Sequence, residues 1–332
     1  MKHIPAFDAV LGQDRAIAQL KQLLASKSVP GAMLFTGPAS VGKFLTAISF
    51  AMAANCCEEG SDSIIGCRVC GSCSRIKSGN HPDVIIIKPD GNYIKIGQIR
   101  ELIEKISTRP KEALTRFIII DGASTMTVEA SNALLKSLEE PPQNTVFILV
   151  SSSMMSVLPT IRSRCCHIGF SPLGRKALEM ILISSVGYTS EISASASLMS
   201  DGSVRTAVDA IEKGWIEKRR WLYSEVAALR NRSLPVILAL AEDLAQKSDD
   251  IKASLEIIKS FFRDLVVYRY RPEVFMGHDL KSVLETALPY YQDSELVRML
   301  EKVHESQRSL ELNAVSRLVL EMLFLKIAGF HK

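Results

Sequence analysis

The sequence predicts an α/β domain built on a parallel sheet, followed by an all-helical remainder. Three observations predict it. Short apolar runs alternate with helical patterns over the first 170 residues, a glycine-rich loop joins the first run to a helix, and beyond Phe170 the strand pattern stops. Met33 to Thr36 is the first run and leads into the loop at 37–44; Phe44 to Ala54 then continues as an apolar helix. Val84 to Ile87, Phe117 to Ile120 and Val146 to Val150 are continuous apolar runs, the form of strands covered on both faces. Helical patterns at Gly97 to Ile106 and Glu129 to Leu138 lie between them, as crossovers between parallel strands require. Glu139-Glu140-Pro141-Pro142 stops the last of these, because proline cannot continue a helix.

Ser171-Pro172-Leu173 reads as a linker. Ala177 to Ser185, Ile192 to Met199 and Val204 to Ile211 then form a small helical unit, and longer amphipathic helices run from about Trp215. Leu255, Ile258, Phe262 and Leu265 make one stripe; Leu312, Val315, Leu318, Val319, Met322 and Leu323 make another. Both read as ordinary core, with part of one available as an oligomer contact. The predicted division is 1–170, 171–214 and 215–332.

The 332 residues suffice for two or three domains, and 47% are hydrophobic, so the chain can bury a core. No apolar run approaches a membrane span, and Met1 to Asp8 lacks the apolar segment of a signal peptide, so a cytoplasmic location is expected. A net charge of +4 is compatible with transient nucleic-acid contact without arguing for it. Seven cysteines in such a chain suggest metal before disulfide.

The loop reads G-P-A-S-V-G-K-F. Gly37, Gly42 and Lys43 fit the phosphate loop G-x-x-x-x-G-K-[ST], whose last hydroxyl ligates magnesium. Phe44 has no oxygen to give. The run Phe117 to Ile120 ends in Asp121, as a metal-facing strand should, but the next residue is Gly122, where many such ATPases carry a glutamate that polarises the attacking water. Loss of a general base typically costs about 10²–10⁴-fold in rate. No ATP turnover is expected, magnesium-dependent nucleotide binding should weaken, and occupancy of the remnant stays open. Thr46 lies two residues on, about 200° round the helix from Phe44, and should face away from the phosphates.

Cys67-x-x-Cys70-x-x-Cys73, with one member of Cys56-Cys57, can supply four thiolates to a tetrahedral zinc. Cys57 is the favoured fourth ligand and Cys56 the alternative. Four thiolates leave no open position, so the metal would be structural, stapling an insertion at about 56–80. Cys165 and Cys166 lie far away in sequence.

Taken in order, the loop, the four-cysteine insertion, His81-Pro82-Asp83, I-K-I-G-Q-I-R (Ile94 to Arg100), the Asp121 strand, N-A-L-L-K-S-L-E-E-P-P (Asn132 to Pro142) and Ser163-Arg164-Cys165 resemble the bacterial DNA polymerase III clamp loader, a branch of the AAA+ ATPases. The similarity runs from about Phe7 through Gly202 to Ala207 and resumes weakly at Leu312 to Glu321. It implies a RecA-like α/β domain with a zinc insertion, a small helical lid and an all-α collar. The motor subunits of the family, gamma and tau, keep both parts that Phe44 and Gly122 lack. The resemblance therefore implies a non-hydrolysing stator that helps load the sliding clamp onto primed DNA. Its partners would be gamma or tau and delta, the clamp indirectly, primed DNA through the assembly, and no membrane. The S-R-C arginine, Arg164, would reach a neighbouring subunit's ATP site, a role suited to a permanently charged planar fork; Arg162 is its neighbour. Arg205 occupies the sensor-2 position, and Ser152 or Ser153 falls near sensor 1. Two rival readings are a divergent active motor and a zinc-containing DNA-binding accessory. The zinc region carries Arg68, Arg75 and Lys77 but no aromatic for base stacking.

Overall fold

The structure is a computed structural model that describes residues 10–57, 66, 67, 69–246, 251–273, 275, 277, 280–312 and 314–330. The N-terminal residues to position 9, and residues 58–65 and Arg68 of the cysteine insertion, lie outside the described residues. The chain forms two compact units, Met1–Val208 and Asp209–Lys332.

In chain order the first unit contains α1 (Asp14–Ala25), β1 (Ala32–Thr36), α2 (Lys43–Ala54), α3 (Gly71–Ser78), β2 (Val84–Ile87), α4 (Ile96–Ile106) and β3 (Arg116–Asp121). There follow α5 (Val128–Glu139), β4 (Thr145–Ser151), α6 (Pro159–Arg162), β5 (Cys166–Gly169), α7 (Arg175–Ile181) and α8 (Ser190–Leu198). The strands form one parallel sheet in the order β2-β3-β4-β1-β5. The four apolar runs all became strands, and α5 ends at Glu139, as the two prolines require. It starts where the Thr127 hydroxyl accepts from the Ala130 N–H, satisfying one orphan donor of the first turn.

Alternation along β3 sorts its side chains between two covered faces. Ile118 and Ile120 pack with Ile99, Leu102 and Ile106 of α4 and Leu134 and Leu138 of α5. Phe117 meets Phe50 of α2 edge to face, with ring centroids 5.8 Å apart. Helix α2 is buried from Thr46 through Ala53, which explains its nearly unbroken apolar sequence. Four elements of this unit had no sequence-based expectation: α1, α3, α6 and β5. Strand β5 buries only Ile168 among its four residues, so it carries no apolar run to read.

Asp83, fully buried ahead of β2, ties the lower end of the sheet together. It accepts from the backbone N–H groups of Lys111, Glu112 and Ala113, and pairs with the buried Arg116 at 3.2 Å. The Arg116 guanidinium also donates to the carbonyls of Thr108 and Arg109. His81 Nδ1 accepts from the Asp83 N–H, and its Nε2 lies 3.4 Å from the Ser72 hydroxyl of α3. The His81-Pro82-Asp83 run is thus a structural anchor.

Helix α9 (Val204–Glu212) crosses the division between the units. The second unit continues with α10 (Trp215–Ala228), α11 (Leu234–Gln246), α12 (Ile251–Tyr270), α13 (Lys281–Ala287), α14 (Asp293–Glu311) and α15 (Ser316–Ile327). Leu255, Ile258, Phe262 and Leu265 of α12 are all buried, as their spacing predicts. Tyr223 and Arg219 reach the buried Asp264 with hydrogen bonds of 2.8 and 2.9 Å.

The core reading of the last stripe needs correction. Leu312, Val315, Leu318 and Met322 are 80%, 62%, 58% and 55% exposed, whereas Leu320, Leu323, Phe324 and Ile327 form the inward face of α15. This helix is apolar on two sides, and periodicity alone does not say which side meets the helix packed beside it. No described helix is long and apolar enough to cross a membrane.

Removing one partner of a buried ion pair leaves the other charge stranded, at a cost of about 3–5 kcal/mol. Asp83→Ala should lower the unfolding free energy by that amount in urea titrations, and Asp83→Leu with Arg116→Met should recover much of it. Despite burial, which works against ionisation, the N–H donors and Arg116 hold the Asp83 carboxyl below the ordinary carboxylate range. Its stabilisation should therefore be complete at neutral pH and fade as pH falls from the unfolded value near 4 through the lower folded value. Loss of less than about 1 kcal/mol in Asp83→Ala would exclude this anchoring role.

Candidate functional site

The glycine loop leaves the C-terminal end of β1, a usual place for ligands in open α/β sheets. Gly37 has φ 146°, and a Cβ there would stand 2.2 Å from the Phe170 carbonyl oxygen, so only glycine fits. Gly42, at φ 100°, caps α2, whose first residue is Lys43. Lys43 is 7% exposed, and its Nζ donates to the carbonyls of Gly37, at 2.6 Å, and Pro38. The ammonium is thereby folded across the mouth of the loop. Burial lowers Lys43 to about pKa 8, against the pull of Asp121. Buried Gln13 braces the arrangement through its side-chain amide, donating to Val41 O at 3.3 Å and Ser171 O at 2.8 Å.

The residues do not fit a magnesium ion held in the manner of the motif. Phe44 presents a half-buried ring with the Lys88 Nζ 4.9 Å from its centroid. Thr46 is fully buried and its hydroxyl donates to Gly42 O at 2.9 Å, so it offers the loop nothing. Asp121 ends β3 beside Val150 of β4. Burial raises its carboxyl, while Lys88 and Lys43 draw it back down. Gly122 has φ 95°, and a Cβ there would lie 3.3 Å from Pro89 Cγ and Thr125 Oγ1. The backbone itself has adapted to glycine, and a glutamate there would be strained.

Arg164 is elsewhere. It precedes β5, which pairs with β1 in parallel from Met33↔Cys166 to Thr36↔Gly169. The loop follows the C-terminal end of β1, so roughly 10 Å of strand separates it from Arg164 at the opposite edge of the sheet. The exposed Arg164 guanidinium donates through Nε to Glu139 Oε1 at 2.5 Å, and through Nη1 to Thr160 O at 2.8 Å and Ser163 Oγ at 3.2 Å. Leu138, Glu139, Ser163 and Arg164 line an open cleft. Arg162 is half-buried, with Nη1 3.3 Å from Met155 Sδ.

The cysteine cluster forms, with one change of member. The Sγ atoms of Cys56, Cys67, Cys70 and Cys73 all lie within 4.8 Å of one another. Thiolates around zinc stand about 3.8 Å apart, given bonds of about 2.3 Å, so the set fits that metal. Cys57, the favoured ligand from sequence, is exposed, and its Sγ faces Asn55 O at 3.6 Å. Adjacent residues past the end of α2 send their side chains apart, and Cys56 is the one turned inward, accepting from the Cys67 N–H at 3.3 Å. Cys67 and Cys70 accept similarly from the N–H groups of Cys70 and Cys73. Burial opposes ionisation of Cys70, but N–H donors from Cys57 and Cys73, aided by neighbouring thiols, bring it to about pKa 6. Cys165 is different: burial pushes it to about 12.

Arg205 is exposed in the first turn of α9, next to Val204, whose N–H lies 3.3 Å from Ser40 O of the loop. Ser152 and Ser153 are exposed beyond β4; the buried Ser151 is the residue in register with Thr36. Sequence reasoning missed Lys88, Gln13, Ser151 and Glu139. Only Lys88 had a usable signal, since it directly follows an apolar strand at the ligand-bearing edge.

Residues 12–174 match the family model described as DNA polymerase III, delta subunit. The delta' subunit of DNA polymerase III from Bacillus subtilis is 39% identical over 171 residues, 52% of this chain and 51% of that protein. The tau subunit of the same organism is 27% identical over 91% of this chain and 58% of its own length. The delta' subunit of Haemophilus influenzae is 29% identical over 77% of this chain and 81% of its own. The chain thus spans little more than half the length of the two Bacillus relatives. Over its N-terminal half the chain is similar to delta-prime subunits of DNA polymerase III, and over most of its length to a tau subunit.

Proposed function

We propose that the chain is a non-hydrolysing stator of a clamp loader, supplying Arg164 to the ATP site of a neighbouring motor subunit while a sliding clamp is loaded onto primed DNA. One asymmetry carries this reading. The chain's own site lacks the metal hydroxyl and the water-polarising glutamate, at Phe44 and Gly122, whereas Arg164 is retained on the edge of the sheet remote from that site. Held by Glu139 at that edge, the guanidinium would serve a neighbouring molecule's phosphates on exchanging that partner. Gamma or tau and delta subunits are the partners this implies, with the clamp and DNA reached through the assembly, in the cytoplasm. Residues 171–214 would act as the lid, with Arg205 near the loop. Residues 215–332 would form the collar, and the exposed apolar face of α15 supports an assembly role there.

The chain alone should turn over no more ATP than its Lys43→Ala variant. In a complex reconstituted with motor subunits, Arg164→Ala should slow turnover at the single interface it serves by about 10³-fold or more. The measurement is that site's share of steady-state ATPase, and Arg164→Lys should not restore it, because lysine lacks the fork. Turnover by the isolated chain that Lys43→Ala abolishes would make it a motor instead.

The cysteine cluster would hold a structural zinc. Four thiolates close the coordination sphere, and binding of the metal would drive folding of an insertion too small to hold itself. Metal analysis should find about one zinc per chain. Cys56→Ser should lose it and Cys57→Ser should keep it. Chelation should open residues 56–80 to protease without abolishing the Arg164-dependent activity. Zinc retained in Cys56→Ser and lost in Cys57→Ser would reinstate Cys57 as the ligand.

A further inference from the structure

Where the motif would place a magnesium ligand, this chain has a ring, and over the ring is a cation. Three observations bear on what that cation does. First, β2 and β3 are paired in parallel up to Ile87↔Ile120, so the next residues, Lys88 and Asp121, come side by side. Second, the Lys88 Nζ stands 4.9 Å from the Phe44 centroid, on the face where a ring quadrupole attracts an ammonium. The Lys88 backbone is fixed there, its carbonyl accepting from Gln98 Nε2 at 2.9 Å. Third, the cradle for the phosphates is otherwise complete: Gly37 and Gly42 keep the conformations the loop needs, and Lys43 lies across its mouth.

We propose that the loop binds a nucleoside diphosphate without a divalent metal, the Lys88 ammonium standing between Phe44 and Asp121 where a motor subunit would hold magnesium. This rests on the reading that the site binds without turning over. Two ammonium groups face one carboxylate, so the site is positive before any metal arrives. A magnesium ion approaching Asp121 would meet the like charge of Lys88 and no hydroxyl. A diphosphate fits better than a triphosphate, because a single charge replaces a double one and leaves an extra phosphate less neutralised. Asp121 reports the same field: burial pushes its carboxyl up, and Lys88 leads the groups that oppose the rise.

The test is calorimetric titration of ADP, and separately ATP, into the full chain, with magnesium and in buffer freed of metal on a chelating resin. A soluble chelator is avoided because it would strip the cysteine cluster. ADP affinity should change by less than about 2-fold between the two buffers, and ATP should bind more weakly than ADP. Lys88→Met should weaken ADP binding by about 10-fold or more in metal-free buffer, the loss of one close charge pair, whereas Lys88→Arg should retain it. Phe44→Thr combined with Lys88→Met should make binding magnesium-dependent. Lys88 is exposed, so unchanged thermal unfolding of these variants serves as the folding control. Tightening of the wild type by magnesium of about 10-fold or more, undiminished binding by Lys88→Met, or no ADP binding in either buffer would each overturn the proposal. None of these results would touch the stator reading, which fails instead on intrinsic turnover.

Discussion

The buried Asp83 carboxylate governs where the ligand-bearing edge of the sheet comes to lie. It gathers three backbone N–H groups from the segment before β3 and the guanidinium of Arg116, the first residue of that strand. With the foot of β3 tied beside the start of β2, the pairing from Val84↔Phe117 to Ile87↔Ile120 has one register. A slip of one residue would turn every side chain of β2 to the opposite face of the sheet. That register delivers Lys88 beside Asp121 and Pro89 against Gly122 at the far end of the strands. Through its backbone N–H, His81 and Ser72, the same residue is linked to α3, which carries Cys73 and is capped by Cys70, two of the four clustered cysteines. An anchor at one end of the sheet thus sets both the geometry of the loop site and the seat of the cysteine module.

The loop site is a coherent structure and not an eroded one. Phe44 gives a ring that Lys88 covers, Thr46 turns its hydroxyl into its own helix, and Gly122 adopts a backbone conformation that a side chain resists. Reversing one of these positions would not rebuild a hydrolytic centre, because each is matched to its neighbours. Phosphoryl transfer depends on charge placed accurately around the phosphates. Here the charges are two ammoniums and one carboxylate, an arrangement suited to holding an anion. Arg164 escapes this change because it belongs to a different edge of the sheet, where Glu139 and the carbonyl of Thr160 hold its guanidinium at the surface.

The second unit obeys a different constraint. Its core is made by helix on helix, with Tyr223, Phe261, Phe262 and Tyr291 in successive edge-to-face contacts. Helix α15 spends one apolar face on that core and leaves another open, formed by Val315, Leu318 and Met322 with Leu312 just ahead of the helix. A row of this kind is costly to expose in water and is the compositional mark of a surface that meets protein.

Much of this molecule was legible from the sequence because its determinants are local. Continuous apolar runs specify buried parallel strands, paired prolines end a helix, and the residue spacing of a phosphate loop or of three cysteines carries its own geometry. The chemical losses at Phe44 and Gly122 could be read directly, since a missing oxygen is missing in any fold. What tertiary structure alone decided were the choices between neighbours. Cys56 rather than Cys57 joins the cluster because adjacent residues leaving a helix point apart. The outer face of α15 stays open because spacing defines an apolar stripe without naming what covers it. Strand β5 forms at the sheet edge with a single buried residue because β1 supplies its hydrogen-bonding partners. Lys88 reaches the glycine loop because β2 pairs with β3, bringing together residues 44, 88 and 121 that no local pattern connects.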